Sequence, residues 1–307
     1  ASLNRTLPFF LRTKFKWRLK FDCFMVSVAF AVLLFFLFGK PYKRGFFCND
    51  ESLYHPFHSS TVTSAMLYVV GLFLPICAVS HLLRFMIFLY LKKPRGKKQY
   101  WPGDTLHTDF VASTTSSVCI LNSRGMLLAA RVQLLAIAPS MFQIGIFGFG
   151  AAVTVLITDV AKYTIGRLRP HFMTLCAPNI NCSLPENHHR YIEDYTCTEN
   201  ISAKLLKEIR LSFPSGHSSF SAYTMIYLAL YLQLRMTWKG SKLLKHLLQL
   251  LCLLMAWFTA LSRVSNYKHH WSDVLAGATL GTVVAVVMVS IIHLNYPTVQ
   301  IINFIRS

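Results

Sequence analysis

The chain has 307 residues, of which 54% are hydrophobic and only 14% charged, with a formal net charge of +19 and a mean hydropathy of +0.44. A soluble domain carries about a quarter charged residues, so the composition argues against a soluble globular protein. The excess charge does not point to nucleic acid either, because the Lys and Arg residues flank long apolar runs, as they do at the cytoplasmic ends of membrane spans.

In chain order, a basic arm over residues 1–20 (Arg5, Arg12, Lys14, Lys16, Arg18, Lys20) leads into the apolar run Phe21 to Phe38. That run is longer than a signal-peptide core and ends in Gly-Lys-Pro-Tyr instead of a small-residue cleavage site, so it reads as a signal anchor. A polar loop, Lys40 to Val62, precedes a second run, Thr63 to Leu91, interrupted by His81 and Arg84. A basic segment follows (Lys92, Lys93, Arg95, Lys97, Lys98), then the stretch Tyr100 to Pro139, polar at Ser113 to Ser117 and apolar later around Arg124 and Arg131. Arg131 in so short an apolar stretch argues against a span, so residues 92–139 are expected to form a cytoplasmic loop region, with an interfacial helix as one form it could take.

Ser140 to Ala161 is the third run, broken only by Asp159, and residues 162–213 form a long polar loop. Ser218 to Leu234, Leu243 to Leu261 and Val274 to Ile292 complete a set of six runs, each close to the roughly 20 residues that cross a bilayer. The expected fold is all-α: a polytopic membrane protein, one domain over residues 1–307, built as a six-transmembrane-helix bundle.

Sidedness follows from charge. The arm, the segment 92–98 and the group Arg235, Lys239, Lys242, Lys245 fall on one side if six spans alternate, which makes that side cytoplasmic, holding both termini and lying against anionic membrane lipids. The loops 40–62, 162–213 and 262–273 then face outward. Two glycosylation sequons, at Asn181 and Asn200, fall in the second outer loop, whereas the sequon at Asn4 sits on the cytoplasmic arm and is expected to be unused. Cys48, Cys176, Cys182 and Cys197 also lie outside, where disulfides form. Four cysteines allow three pairings, and Cys182 with Cys197, both in one loop, is the pairing preferred here. Cys23, Cys77 and Cys252 lie within spans as packing residues.

Three polar clusters stand where spans meet the outer water layer: Lys162 to Arg169-Pro170, then Pro214-Ser215-Gly216-His217, then Ser262-Arg263 with His269 and Asp273. A phosphate site needs cations and N–H donors for its oxygens, and Lys162, Arg169 and Arg263 are suited to the first task. Ser215 and Gly216, at the start of the fourth span, offer the free N–H groups of a helix N-terminus. His269 and Asp273 are spaced i, i+4, so the carboxylate is placed to orient the imidazole, and His217 remains as a general acid. Pro170, Pro214 and Ser262 support the local geometry. Asp159, three residues before Lys162, suggests a supporting ion pair. His270 competes with His269, His171 follows the Arg-Pro pair as a loop residue, and His188 with His189 resembles a metal pair but lacks further ligand spacing.

With these residues in view, the chain resembles the type 2 phosphatidic acid phosphatase superfamily, whose signature Lys-x6-Arg-Pro, Pro-Ser-Gly-His and Ser-Arg-x5-His-x3-Asp is filled at all eleven fixed positions. The text around Lys162 to Phe172 and the string Gly45 to Ser52 are similar to the animal lipid phosphate phosphatases, the Wunen-like phospholipid phosphatase branch. The resemblance implies that His269 is the nucleophile and forms a phosphohistidine, that His217 protonates the leaving alcohol, and that no metal or other cofactor is needed. It implies a lipid phosphate substrate such as phosphatidic acid, lysophosphatidic acid, sphingosine 1-phosphate or ceramide 1-phosphate, and it allows self-association. The expected place is a plasma, Golgi or endoplasmic reticulum membrane, with the site extracellular or lumenal. Two other readings stay open: a phosphatase for a soluble ester, and a non-enzymatic lipid-binding protein. The stretch 100–139 departs from the family in length.

Overall fold

Long apolar runs in lipid must satisfy every backbone N–H and C=O internally, which a helix does within one segment. The computed structural model describes residues 41–92, 114–199, 201–236 and 242–295, together with residues 27 and 39, and it is mostly helical. The long helices are α1 (Ser64–Lys92), α2 (Thr114–Ile165), α6 (Gly216–Arg235), α7 (Lys242–Ser265) and α8 (Trp271–Asn295). Short helices α3 (Phe172–Cys176), α4 (Pro185–His188) and α5 (Ala203–Glu208) lie in the loop between α2 and α6. Apart from residue 27, the run Phe21 to Phe38 lies outside the described residues, as do the basic arm and Asn200.

Among the described residues, four helices are long and apolar enough to cross a membrane: Ser64–Leu82, Ser140–Ile165, Leu243–Ser265 and Trp271–Leu294. Helix α6, one of the six expected spans, is not among them, because it carries Ser218, Ser219, Ser221, Tyr223, Thr224, Tyr227 and Tyr231. All seven are buried, since α6 is the central helix and packs against α1, α2, α7 and α8. Its hydroxyls are spent within the protein: Tyr223 donates to the Phe147 carbonyl (2.6 Å), Tyr231 to Gln143 Oε1 (2.6 Å), and Ser218 to the Val274 carbonyl (2.8 Å). Interhelical hydrogen bonds and small residues, not apolar area, hold helices together where lipid is as apolar as the side chains. Gly277 and Gly281 of α8 show how close the approach is. A Cβ on Gly277 would lie 2.5 Å from the Ser215 carbonyl oxygen, and one on Gly281 would overlap that of Ser219.

A second departure concerns the stretch expected as a loop. Its described part, residues 114–139, is helical and continuous with the following span, so that α2 is a single helix of 52 residues. The stretch carries Ser, Thr, Asn and Arg among its apolar residues and gives little periodic signal, yet it propagates cheaply as helix once the span has nucleated it.

The polar loops form a cap on one end of the bundle. Strand β1 (Phe46–Phe47) pairs antiparallel with β2 (Tyr191–Ile192), with Phe46 opposite Ile192 and Phe47 opposite Tyr191. The cap thus adds a small sheet to the expected all-α fold, and it has a core of its own built from Phe46, Leu53, Leu168, Phe172, Tyr195 and Ile209. Disulfides join Cys48 to Cys182 and Cys176 to Cys197. The preferred pairing of Cys182 with Cys197 is therefore corrected: the isolated bridge between Pro178 and Cys197 puts Cys197 beside α3, and the β1–β2 pairing leaves Cys182 to the first loop. Gly166 turns the chain from α2 into the cap at φ +59°, a conformation favouring glycine, with the Tyr42 carbonyl packed where a Cβ would stand.

Candidate active site

The cap and the adjoining ends of the helices enclose a cavity of about 310 Å³. Lys162 and Asp159 reach it from α2, Arg169 and Glu208 from the cap, Gly216 and His217 from the first turn of α6, Arg263 from the end of α7, and Lys268 and His269 from the α7–α8 connection. The three clusters, far apart in sequence, are thus brought to one chamber.

Ser215 is the N-cap of α6, accepting from the Ser218 N–H (3.4 Å), while its own N–H donates to the Asp273 carbonyl (2.9 Å). This cross-link between α6 and α8 fixes the helix start that points into the cavity. A Cβ on Gly216 would stand 2.8 Å from Lys162 Nζ, so the ammonium group rests against that first turn. Lys162 also pairs with Asp159 at 3.5 Å, the ion pair suggested by their spacing. Pro170 holds the loop above, its carbonyl accepting from the His55 N–H (3.0 Å).

Arg263 is fully buried, donating to the Val62 carbonyl (3.1 Å) and to Ser262 Oγ (3.3 Å). Arg169 Nε and His217 Nε2 are buried without hydrogen-bond partners among the described residues. Unpaired buried polar atoms are costly, and these two belong to residues lining a chamber in which a bound anion would supply the missing acceptors. Burial first, offset in part by Glu208 and Asp273, lowers the Arg169 pKa from its ordinary value.

The buried His269 ring donates from Nδ1 to the Ser212 carbonyl at 2.7 Å. That bond fixes the tautomer and leaves the Nε2 lone pair free. Burial is the main cause holding the imidazole well below 6.5, followed by the charges of Arg169 and Lys162, so the ring is neutral at physiological pH. Asp273 stands 3.9 Å from Nδ1, beyond hydrogen-bond distance. The direct carboxylate–imidazole bond suggested by the i, i+4 spacing is not made. Asp273 instead accepts from Ser212 Oγ (2.6 Å), the His270 N–H (3.0 Å), His270 Nδ1 (3.2 Å) and Arg167. Ser212 thus joins carboxylate and histidine, one by its hydroxyl and the other by its carbonyl.

Ser212, Arg167, Lys268 and Glu208 were not singled out from the sequence. Lys268 is buried with its ammonium 3.6 Å from the centre of the Phe57 ring, and burial, then Arg169 and Arg263, lowers its pKa to about 8. His171 lies outside the chamber's lining: it is buried under Phe57, bonded through Nδ1 to the Tyr267 carbonyl (2.8 Å), and pushed by burial to about 4. His188 and His189 stack edge to face at 4.9 Å, and among the described residues no group of three or more His, Cys, Asp or Glu is arranged to hold a metal. Asn181 is exposed in the cap; its side chain accepts from the Ser183 N–H (3.0 Å).

Comparison with known proteins gives the family. The family described as "PAP2 superfamily" matches residues 143–297, which contain all three clusters. A Drosophila melanogaster protein described as "Putative phosphatidate phosphatase" is 46% identical over 269 residues, 86% of this chain and 65% of its own length. "Phospholipid phosphatase 1" of Rattus norvegicus is 37% identical over 252 residues, 81% of this chain and 75% of the rat protein. The chain therefore spans somewhat under two thirds of the fly relative and three quarters of the rat one. Among solved structures, a transmembrane PAP2 type phosphatidylglycerolphosphate phosphatase from Bacillus subtilis matches at 19% identity and TM-score 0.33, over 74% of this chain and 94% of that one.

Proposed function

This chain belongs to the PAP2 superfamily, and we propose on that footing that it is an integral membrane phosphoric monoester hydrolase that takes phosphate from a lipid. The observation that carries the reading is the His269 tautomer: a neutral, buried ring with Nδ1 tied to Ser212 and Nε2 free in a chamber ringed by Lys162, Arg169, Arg263 and Lys268. A phosphomonoester dianion is the ligand that such a set of cations suits, and a neutral imidazole is the nucleophile that attacks phosphorus.

The reaction runs in two steps. His269 Nε2 forms a bond to phosphorus as the bond to the alkyl oxygen breaks, and His217, whose pKa burial and then Arg263, Lys162 and Arg169 lower to about 3 and the bound phosphate dianion raises, gives its proton to that oxygen. Water then attacks the phosphohistidine, His217 takes the water's proton, and the N–P bond breaks to return neutral His269 and inorganic phosphate. Asp273, held by four donors, balances the positive charge that the ring carries in the intermediate. The protein supplies position and charge; the loose phosphoryl transition state asks for little else.

A lipid is favoured over a soluble ester by what adjoins the chamber. Leu67 lines both the chamber and a neighbouring apolar groove of about 160 Å³, which Met66, Val70, Met225 and Phe258 also line. An amphiphile with its phosphate among the cations has room there for the start of its chain. Phosphatidic, lysophosphatidic, sphingosine and ceramide phosphates all fit this description. The six-span topology, with the first span at residues 21–38 and the cap on the extracytoplasmic side of a plasma or secretory-pathway membrane, accords with two disulfides in the cap and with sugar attachment at Asn181 and Asn200.

Phosphate release from phosphatidic acid in mixed micelles with excess EDTA, compared between wild type and His269→Ala, tests the reading. Release by wild type alone is expected. Substantial release by His269→Ala would overturn the assignment of the nucleophile. Turnover of short water-soluble esters without turnover of micellar lipid would move the substrate class.

A further inference from the structure

Beside Arg167 and His270, two of the residues that bond Asp273, lies a second, smaller cavity of about 180 Å³ lined also by Arg44, Asp50, Ser52 and Tyr191, among others. From its hydrogen bonds we infer that His270 and Ser52 are positioning residues for the hydrolysis, linking the first outer loop to the His269 nucleophile through Asp273 and Ser212. The inference rests on the reading of His269 given under Proposed function.

The chain of contacts is continuous. Ser52 Oγ donates to Asp50 Oδ1 at 2.6 Å, and Asp50 also accepts from the Ser52 N–H (3.1 Å), which fixes the rotamer. With its own proton given to Asp50, Ser52 Oγ is left to accept from His270 Nε2 at 3.3 Å. The other ring nitrogen, Nδ1, lies 3.2 Å from Asp273 Oδ2, and an ionised carboxylate only accepts. The ring thus bridges Asp273 and the Ser52–Asp50 pair through its two nitrogens. The same Oδ2 accepts from Ser212 Oγ at 2.6 Å, and the Ser212 carbonyl accepts from His269 Nδ1 at 2.7 Å. The charged and titratable groups around His270 are Asp273, Asp50, Arg167, Arg44 and Tyr191.

What distinguishes this arrangement from a generic buried ion pair is that Asp273 has no direct bond to the nucleophile. Its hold on His269 passes through Ser212, and the rotation of the carboxylate is set by His270 and by Arg167. Ser52 and Asp50 belong to a loop that is more than 200 residues from His270 in sequence, with Ser52 and His270 separated by 218. The first outer loop is thereby part of the catalytic geometry, although it carries none of the three motifs.

The test uses the full chain in mixed micelles with Ser52→Ala, Ser52→Thr, His270→Gln, Ser212→Ala and the Ser52→Ala/Ser212→Ala double variant. Ser52→Ala and His270→Gln should each lower kcat roughly 10- to 100-fold, as misplacement of a reacting group does, with KM unchanged. Ser52→Thr, which keeps the hydroxyl, should restore kcat, and the double variant should be no worse than Ser212→Ala alone because both act along one path. Unchanged kcat in both Ser52→Ala and His270→Gln, or losses that multiply in the double variant, would overturn the inference. So would a raised KM at constant kcat. A second readout needs no substrate: the rate at which diethyl pyrocarbonate modifies His269, resolved by mass spectrometry, should change in Ser52→Ala and return in Ser52→Thr. If wild type hydrolyses no phosphate ester, the function proposed above fails, and the modification rates still decide whether Ser52 and His270 position His269.

Discussion

His269 shows why a pH profile reads this site more sharply than a loss of activity does. Its pKa is pushed well below 6.5 by burial, Arg169 and Lys162, so it stays deprotonated as the pH falls from 7.5 to 6.5, and the acid limb of kcat/KM due to this ring lies below 6.5. Removing a cation makes protonation easier, so Arg169→Gln should move that limb to higher pH as well as lower activity roughly 10²- to 10³-fold. On the alkaline side, Lys268 loses its charge above about 8, and KM should rise there in wild type but not in Lys268→Met. Profiles measured from pH 5 to 9 check both limbs. The residues of the three clusters were legible because each cluster is short in sequence and stands at a helix end. Ser212 was not, since half of its role is played by a carbonyl that every residue possesses. Nor could the spacing of His269 and Asp273 reveal that their connection runs through a third residue.

The long helices were legible as elements wherever apolar composition dominates, which is why the runs ending in Leu91, Ala161, Leu261 and Ile292 coincide with helices. Helix α6 is a different case. Its Ser, Thr and Tyr residues look like a weak span in sequence, but in the bundle they are the contacts of the central helix. The N-terminal part of α2 was hidden because Ser, Thr, Asn and Arg among its apolar residues leave little periodic signal. The α6–α8 contact yields a prediction at this scale. Gly281→Ala would drive a methyl group into the Ser219 carbonyl, and Ser219 also shares a hydrogen bond with Thr158 of α2 (2.9 Å). Overpacking of this kind costs about 1–3 kcal/mol. A lowered midpoint of thermal unfolding in detergent, with loss of activity beginning at lower temperature, is the expected result; an unchanged midpoint would mean that the helices are not as closely packed as described.

At the scale of the whole molecule, membrane bundle and cap are two cores joined at the site: the loop before α6 carries Arg169 and Ser212, α6 carries His217, and the α7–α8 connection carries His269. The pairing of the cap's cysteines was illegible because three pairings satisfy the same count. Removing one bond by Cys48→Ser should open the cap with the helices intact. Its effect on stability should be about 2–3 kcal/mol, below the ~4.7 kcal/mol that chain entropy gives a free loop of 100 residues, because the spans between remain helical in lipid. Activity lost at a temperature where helical circular dichroism is unchanged is the expected signature.

The Cys48–Cys182 bond also sets a clock on biosynthesis. Its two sulfurs are separated by 134 residues, and α1 and the membrane-spanning part of α2 lie between them. On the proposed topology, one thiol meets the oxidising side as soon as the first loop emerges, and it must wait unpaired until two more crossings of the membrane have been threaded. The Cys176–Cys197 bond, closing a loop of 21 residues, has no such wait. A ribosome paused between the two crossings would leave Cys48 as bait for any oxidoreductase at the translocon, and the order in which the four thiols disappear would record the insertion of the helices one by one.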